Sequence, residues 1–74
     1  MSVIKVIEIL AESKEGWEAA TKEAVREASK SVKNIKSVYV KDMQAIVEGG
    51  EIVNYRVNVK ISFKVDFNEV DPKK

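Results

Sequence analysis

The stretch VNYRVNVKISFKVD, residues 53–66, alternates apolar and polar side chains almost without interruption. The apolar set is Val53, Tyr55, Val57, Val59, Ile61, Phe63 and Val65, and the polar set is Asn54, Arg56, Asn58, Lys60, Ser62, Lys64 and Asp66. A period of two places these sets on opposite sides of an extended chain. The stretch therefore predicts a long β-strand whose polar side faces water, a partner chain or a ligand.

Two segments of different character come earlier in the chain. Residues 2–12, SVIKVIEILAE, are rich in Val and Ile and predict a first, mostly buried strand. Residues 14–32 have helical spacing, with Ser13 as the expected N-cap and Asn34 as the expected stop. Trp17 lies in the first turn on the apolar side, which favours packing over a role as a ligand platform. The same side carries a row of small residues, Ala20, Ala24 and Ala28.

The remaining segments predict a hairpin. Residues 36–48 form a second strand with weaker alternation, and the two glycines of EGGE, Gly49 and Gly50, suit a tight turn into the third strand, residues 51–66. The order β-α-β-β predicts an α+β fold in which a three-stranded antiparallel sheet partly wraps around one helix. Residues 1–66 form the predicted domain, and residues 67–74 form a tail that we expect to be flexible.

The predicted sheet is longer than the helix that covers it. Strands of roughly fifteen residues extend near 50 Å, whereas the predicted helix spans about 28 Å. A single small chain also buries only a modest apolar core. Both arguments predict that the sheet is covered by further copies of the same chain.

Composition removes several classes of function. The 74 residues include no cysteine and no histidine, which excludes disulfides and thiolate metal sites and removes the commonest general base. We find no phosphate loop or nucleophile elbow, so we expect a protein that is not an enzyme. The 13 basic and 12 acidic residues give a net charge of +1, which favours neither nucleic acid nor a membrane as a partner. The start of the chain lacks a signal-peptide pattern, so we expect a cytoplasmic protein.

The chain resembles the dodecins in three segments taken in order. These are SVIKVIEILAES at the first strand, GWEAATKEAVREASKSVKNI at the helix and NYRVNVKISFKV at the last strand. The resemblance implies a hollow homododecameric shell that binds and stores a flavin, FMN or riboflavin, between subunits. A homododecamer with a small-molecule ligand is the partner arrangement that this family implies.

The resemblance also implies a set of cofactor-binding positions. The family's flavin-stacking tryptophan falls on Ser37, and the glutamine that bonds the flavin edge falls on Arg56, directly after the matching Tyr55. Tyr39 and Gln44 lie on the second strand near the implied pocket. A serine cannot stack on a ring, and an arginine cannot accept a hydrogen bond. The chain is therefore similar to family members without the stacking tryptophan.

These departures leave alternatives open. One is a flavin-free shell that holds a cation or a phosphate-bearing ligand, and another is an adaptor that pairs through a free sheet edge. The carboxylates available for a hard cation are Glu8, Asp42, Glu48, Asp66, Glu69 and Asp71, none of them in a recognisable metal-binding loop. The basic residues available for a phosphate are Arg56, Lys60 and Lys64.

Overall fold

A computed structural model describes residues 2–66. Their order is β1 (Ser2–Ser13), α1 (Trp17–Ser29), β2 (Ile35–Glu48) and β3 (Glu51–Asp66), which confirms the predicted β-α-β-β fold. The predicted tail, residues 67–74, lies outside the described residues.

The long alternating strand lies at the centre of the sheet. The strand order is β1-β3-β2, and β3 pairs antiparallel with both neighbours. The β2–β3 turn consists of Gly49 and Gly50 at φ 59° and 79°. Positive φ at both central residues is what a two-residue hairpin turn requires, and glycine reaches it without steric cost. The predicted hairpin is confirmed, and β3 has the predicted bounds, residues 51–66.

The core lies between α1 and one side of β3. It consists of Ala20, Ala24, Ala28, Val57, Val59 and Ile61, each at most 4% exposed. The alanine side chains allow the helix backbone to approach the strand closely, and the branched side chains of β3 fill the space. The apolar half of the alternating pattern is therefore the half that the helix covers.

Both predicted ends of the helix are wrong. Ser13 ends β1 instead of capping α1, and its hydroxyl accepts a hydrogen bond from the Glu15 N–H at 3.0 Å. The N-cap is Gly16, at φ 141°, so the helix begins three residues later than predicted. At the other end the helix stops at Ser29. Asn34 has φ 64° and its carbonyl accepts the Lys64 N–H at 3.0 Å, so it turns the chain into β2.

The expectation that β1 is mostly buried is also wrong for a single chain. Ile4, Val6 and Leu10 are 55%, 57% and 63% exposed, whereas Ile7 and Ile9 pack against the core. The helix covers one side of the strand only. The far half of the hairpin, residues 43–53, is uncovered as well, with exposed Met43, Val47, Ile52 and Val53. The reason is length, since α1 spans about 20 Å of a molecule 60 Å long.

Candidate ligand-binding face

The side of the sheet opposite α1 carries the polar half of the alternating pattern. We call this side the open face and define it by Asn54, Arg56, Asn58, Lys60, Ser62 and Lys64 of β3. Directly paired residues of antiparallel strands share a face. The register therefore adds Val6, Glu8, Leu10 and Glu12 from β1, and Ser37, Tyr39, Asp42 and Gln44 from β2.

Arg56 is held from both neighbouring strands. Its Nε and Nη2 lie 2.7 and 2.6 Å from one carboxylate oxygen of Glu12 on β1. Its Nη1 donates to the side-chain oxygen of Gln44 on β2 at 3.0 Å. The second Glu12 oxygen accepts from the Asn54 amide at 2.9 Å. The guanidinium is thus fixed in position, and much of its donor capacity is used within the chain.

A second set of polar contacts crosses the sheet beside Arg56. The register of β2 shifts between Val40 and Asp42, which is a β-bulge. Lys41 lies at this bulge, and its Nζ is 3.4 Å from Oε2 of Glu8 on β1. The Asn58 amide and the Lys41 ammonium lower the pKa of Glu8 from its ordinary value of 4.5. Both groups stabilise the charged carboxylate.

Asn58 also has an oxygen that lacks a hydrogen bond. Its Oδ1 has less than 1 Å² of exposed surface and no protein partner among residues 2–66. Buried polar atoms are nearly always paired in folded proteins, so an orphan of this kind calls for a physical explanation.

The position implied for the stacking ring has a different chemistry here. The Ser37 hydroxyl lies 2.5 Å from the Ser62 hydroxyl on β3, so one of the two hydroxyls donates a hydrogen bond to the other. Tyr39 lies on the same face, opposite Lys60, and is 64% exposed. Tyr39 is therefore an aromatic ring that the open face offers to an approaching molecule.

Four of the five predicted cofactor-binding residues, Ser37, Tyr39, Gln44 and Arg56, share the open face. Tyr55 does not, because it packs edge-on against Trp17 at 5.0 Å between ring centroids, on the helix side. Trp17 also donates its indole N–H to the backbone oxygen of Gln44 at 3.0 Å. Trp17 thus packs against protein, and Tyr55 supports the sheet from behind Arg56. A ligand role for the five positions stays a prediction.

The carboxylates proposed for a cation are not gathered within one chain. Among residues 2–66, no three acidic side chains lie close enough together to hold a metal ion. Glu8 pairs with Lys41, Asp42 faces Asn58, and Glu48 lies opposite Glu51 beside the hairpin turn. The Asp66 side chain, Glu69 and Asp71 lie outside what the structure describes.

A groove on the molecule does not coincide with the predicted site. It has a volume of about 720 Å³ and runs between the end of β1 and residues 19–26 of α1. Its lining includes both carboxylates and cations, and Glu12 is its one contribution from the open face. None of the five predicted cofactor-binding residues lines it. Within residues 2–66, no helix is long and apolar enough to cross a membrane.

Sequence reasoning missed two residues that shape the open face, Glu12 and Lys41. The Glu12–Arg56 contact joins residues 44 apart, and the Lys41–Glu8 contact joins residues 33 apart. Without the register of the strands, no local pattern identifies either pair. The one available signal was that Glu8 and Glu12 are four residues apart in β1, which places both carboxylates on the same side of the strand.

The sequence matches a family model described as Dodecin over residues 3–66. The chain belongs to the dodecin family. It is 38% identical over 65 residues to the calcium dodecin of Mycobacterium tuberculosis, which covers 88% of this chain and 92% of that protein.

Solved structures agree with the assignment. A variant of the Thermus thermophilus dodecin is 26% identical, with a TM-score of 0.83 over 89% of this chain and 98% of that one. The dodecin from Streptomyces davaonensis is 25% identical, with a TM-score of 0.82 over 88% and 96%. The calcium-chelating calcium dodecin from M. tuberculosis, a structure with a novel calcium-binding site, is 33% identical, with a TM-score of 0.75 over 97% and 96%.

Proposed function

We propose that this dodecin is a non-catalytic homododecameric shell that binds and holds a small ligand, and that the ligand is a divalent cation and not a flavin. The open face and the far half of the hairpin carry the argument for assembly. Both present exposed apolar side chains, Leu10 and Met43 among them, that a single chain leaves in water. Val47 and Ile52 are exposed and paired across the hairpin, and exposed apolar neighbours of this kind are typical of protein interfaces.

The hydroxyl pair of Ser37 and Ser62 is the observation that carries the argument against flavin. It places two small polar groups where the family resemblance implies a stacking ring. A stacked ring contributes about 1–3 kcal/mol by analogy with base–aromatic stacking, and a hydroxymethyl group does not replace it. Arg56, at the position of the flavin-bonding glutamine, is held by Glu12 and Gln44.

The similarity to a calcium dodecin supports a cation. Calcium requires six to eight oxygen ligands, and residues 2–66 of one chain do not assemble three carboxylates. We therefore place the proposed cation between copies of the chain, where carboxylates from neighbouring subunits meet. Asp42 and Glu48 are the described candidates, because each is exposed and neither forms an ion pair within residues 2–66.

Calorimetric titration with Ca²⁺ tests this proposal when combined with native mass spectrometry of the assembly. We expect a twelve-subunit mass and a calcium stoichiometry below one per chain, since a shared site serves several chains. Asp42→Asn or Glu48→Gln should reduce binding, whereas Glu18→Gln, on the outer side of the helix, should not. A wild-type shell that takes up no calcium at millimolar concentration would rule the proposal out.

The second candidate function is flavin storage, which the exposed ring of Tyr39 favours. Titration of riboflavin and FMN with the protein, followed by flavin fluorescence, separates the two functions. Unquenched fluorescence at micromolar protein agrees with the cation proposal. Strong quenching that disappears in Tyr39→Ala would instead establish a flavin shell with a different stacking residue.

A further inference from the structure

The two edges of the sheet differ in their regularity. β1 and β2 form these edges, because each of them pairs with β3 alone among residues 2–66. The register of β2 against β3 shifts at three places, and Lys36 and Lys41 lie at two of them. Bulges and lysines are devices that keep an edge strand from pairing with another chain. The edge formed by β2 is therefore poorly suited to accept a further strand.

The edge formed by β1 has the opposite character. β1 pairs with β3 in an unbroken register over its whole length and contains neither glycine nor proline. Three of its apolar side chains, Ile4, Val6 and Leu10, are more than half exposed. A long, regular and apolar edge strand is a template for an added strand, since one side of its backbone is left without a neighbouring strand.

The sequence of β1 is complementary to a second copy of itself. Both faces of the sheet continue into an added antiparallel strand only if even-numbered residues lie opposite even-numbered ones, which requires a two-fold axis through a residue. An axis at Ile7, near the middle of the strand, sets Ile4 opposite Leu10 of the second copy, so that exposed apolar side chains meet. Every charged residue of β1 then lies opposite an uncharged one. An axis at Glu8 would instead place two carboxylates opposite each other, which is unfavourable.

We propose that the outer edge of β1 pairs antiparallel with β1 of a second copy about a two-fold axis at Ile7, which joins the two sheets into one. Such a contact is isologous, with the same residues on both sides, and two-fold contacts are the commonest kind in symmetric oligomers. The pairing rests on the self-association that the proposed function includes, and it does not depend on the cation.

Because the chain contains no cysteine, an introduced disulfide can report this pairing. Directly opposite residues of antiparallel strands have Cα atoms about 4.5–5.5 Å apart, which is within the range of a disulfide. Mild oxidation of the Ile4→Cys/Leu10→Cys double variant should yield covalent dimers, at least about tenfold more than either single variant yields. The single variants are matched controls, because positions 4 and 10 each lie about 20 Å from their own equivalent across the axis. Electrophoresis without reducing agent measures the dimer.

Amide hydrogen exchange of the wild-type assembly provides a second readout that needs no substitution, and it decides the matter if the double variant fails to assemble. Consecutive amides of β1 should all be protected when the strand pairs on both sides, whereas an unpaired edge would leave alternate amides to exchange quickly.

Two results would overturn the pairing and leave the proposed shell standing. One is alternating protection along β1 in the assembled protein, and the other is a double variant that assembles but forms no more covalent dimer than the single variants. Crosslinking in a protein that takes up no calcium would count against the cation alone and would support the pairing.

Discussion

The two faces of the sheet derive from one alternating strand but are stabilised in different ways. On the helix face, Val57, Val59 and Ile61 have no exposed surface and pack against the alanines of α1. On the open face, side chains only one position away in β3 are partly exposed, and several of them are held by hydrogen bonds and ion pairs to the neighbouring strands. Beneath α1 the helix face is therefore covered within one chain, whereas the open face has its polar groups arranged and its apolar groups uncovered.

This contrast indicates where the chain carries its own stability and where it depends on other molecules. Burial of branched side chains stabilises the chain without any partner. Exposed ion pairs contribute little by themselves, but they place charges accurately for whatever binds next. Substitutions on the two faces should accordingly differ in size and in their dependence on protein concentration, salt and pH.

The largest effect on stability should come from shortening an isoleucine on the helix face. Ile61→Ala should lower the free energy of unfolding by about 2–5 kcal/mol, because it leaves a cavity under the helix. Ile4→Ala, on the uncovered side of β1, is the control. Its effect should depend on protein concentration, since that side chain is covered only by assembly. Denaturant unfolding of each variant at two protein concentrations checks both expectations. Equal effects of the two variants would remove the distinction between the faces.

The next largest effect should be on assembly. Leu10 is 63% exposed in the chain and lies between Glu8 and Glu12 on the open side of β1. Leu10→Asp removes apolar burial of about 1.5–3 kcal/mol per copy and adds a third carboxylate to the row. We expect smaller species by native mass spectrometry with the fold of each chain retained. Ser31→Asp adds the same charge outside the sheet and should stay assembled. An intact Leu10→Asp shell would show that this surface is not an interface.

A smaller difference is expected between the coupling energies of a partly exposed ion pair on the sheet and a highly exposed ion pair on the helix. The Glu12–Arg56 pair has side chains 41% and 34% exposed and two close contacts, whereas Lys22 and Glu18 on the helix are 77% and 86% exposed at 3.6 Å. Alanine double-mutant cycles should give a coupling of about 1 kcal/mol for the first pair and about 0.3–0.5 kcal/mol for the second. Both should weaken in high salt. Equal coupling energies would mean that the fixed position of the Arg56 guanidinium does not strengthen its ion pair with Glu12.

The smallest effect should be a pH dependence from Glu8. The Asn58 amide and Lys41 hold the pKa of Glu8 below 4.5 in the folded chain, so the carboxylate binds protons more readily when unfolded. Its stabilising contribution is present above pH 4.5 and is lost as the pH falls through the lower, folded pKa. Unfolding measured from pH 7 down to pH 3 should therefore show a shallower loss of stability in Glu8→Gln. Identical pH profiles would exclude this role.

The sequence predicted more about the helix face than about the open face. The spacing of Ala20, Ala24 and Ala28 and the alternation of β3 identify the core directly, because each pattern repeats with the period of its own element. The ends of the helix were predicted less well, because Ser13 continues β1 instead of capping the helix. On the open face, the pattern predicted that Arg56 and Asn58 share a side and did not predict what either one contacts.

The order of the elements, the glycine hairpin and the side of β3 that each residue faces follow from local patterns in the chain, because these features depend on neighbours within a few positions. The contacts of Glu12 with Arg56 and of Lys41 with Glu8 follow from the three-dimensional fold. Those contacts join different strands, and the β2 bulge that places Lys41 is a property of the strand register. A change of register by one residue would move every such side chain to the other face, so the pairing of the strands determines the chemistry of the surface.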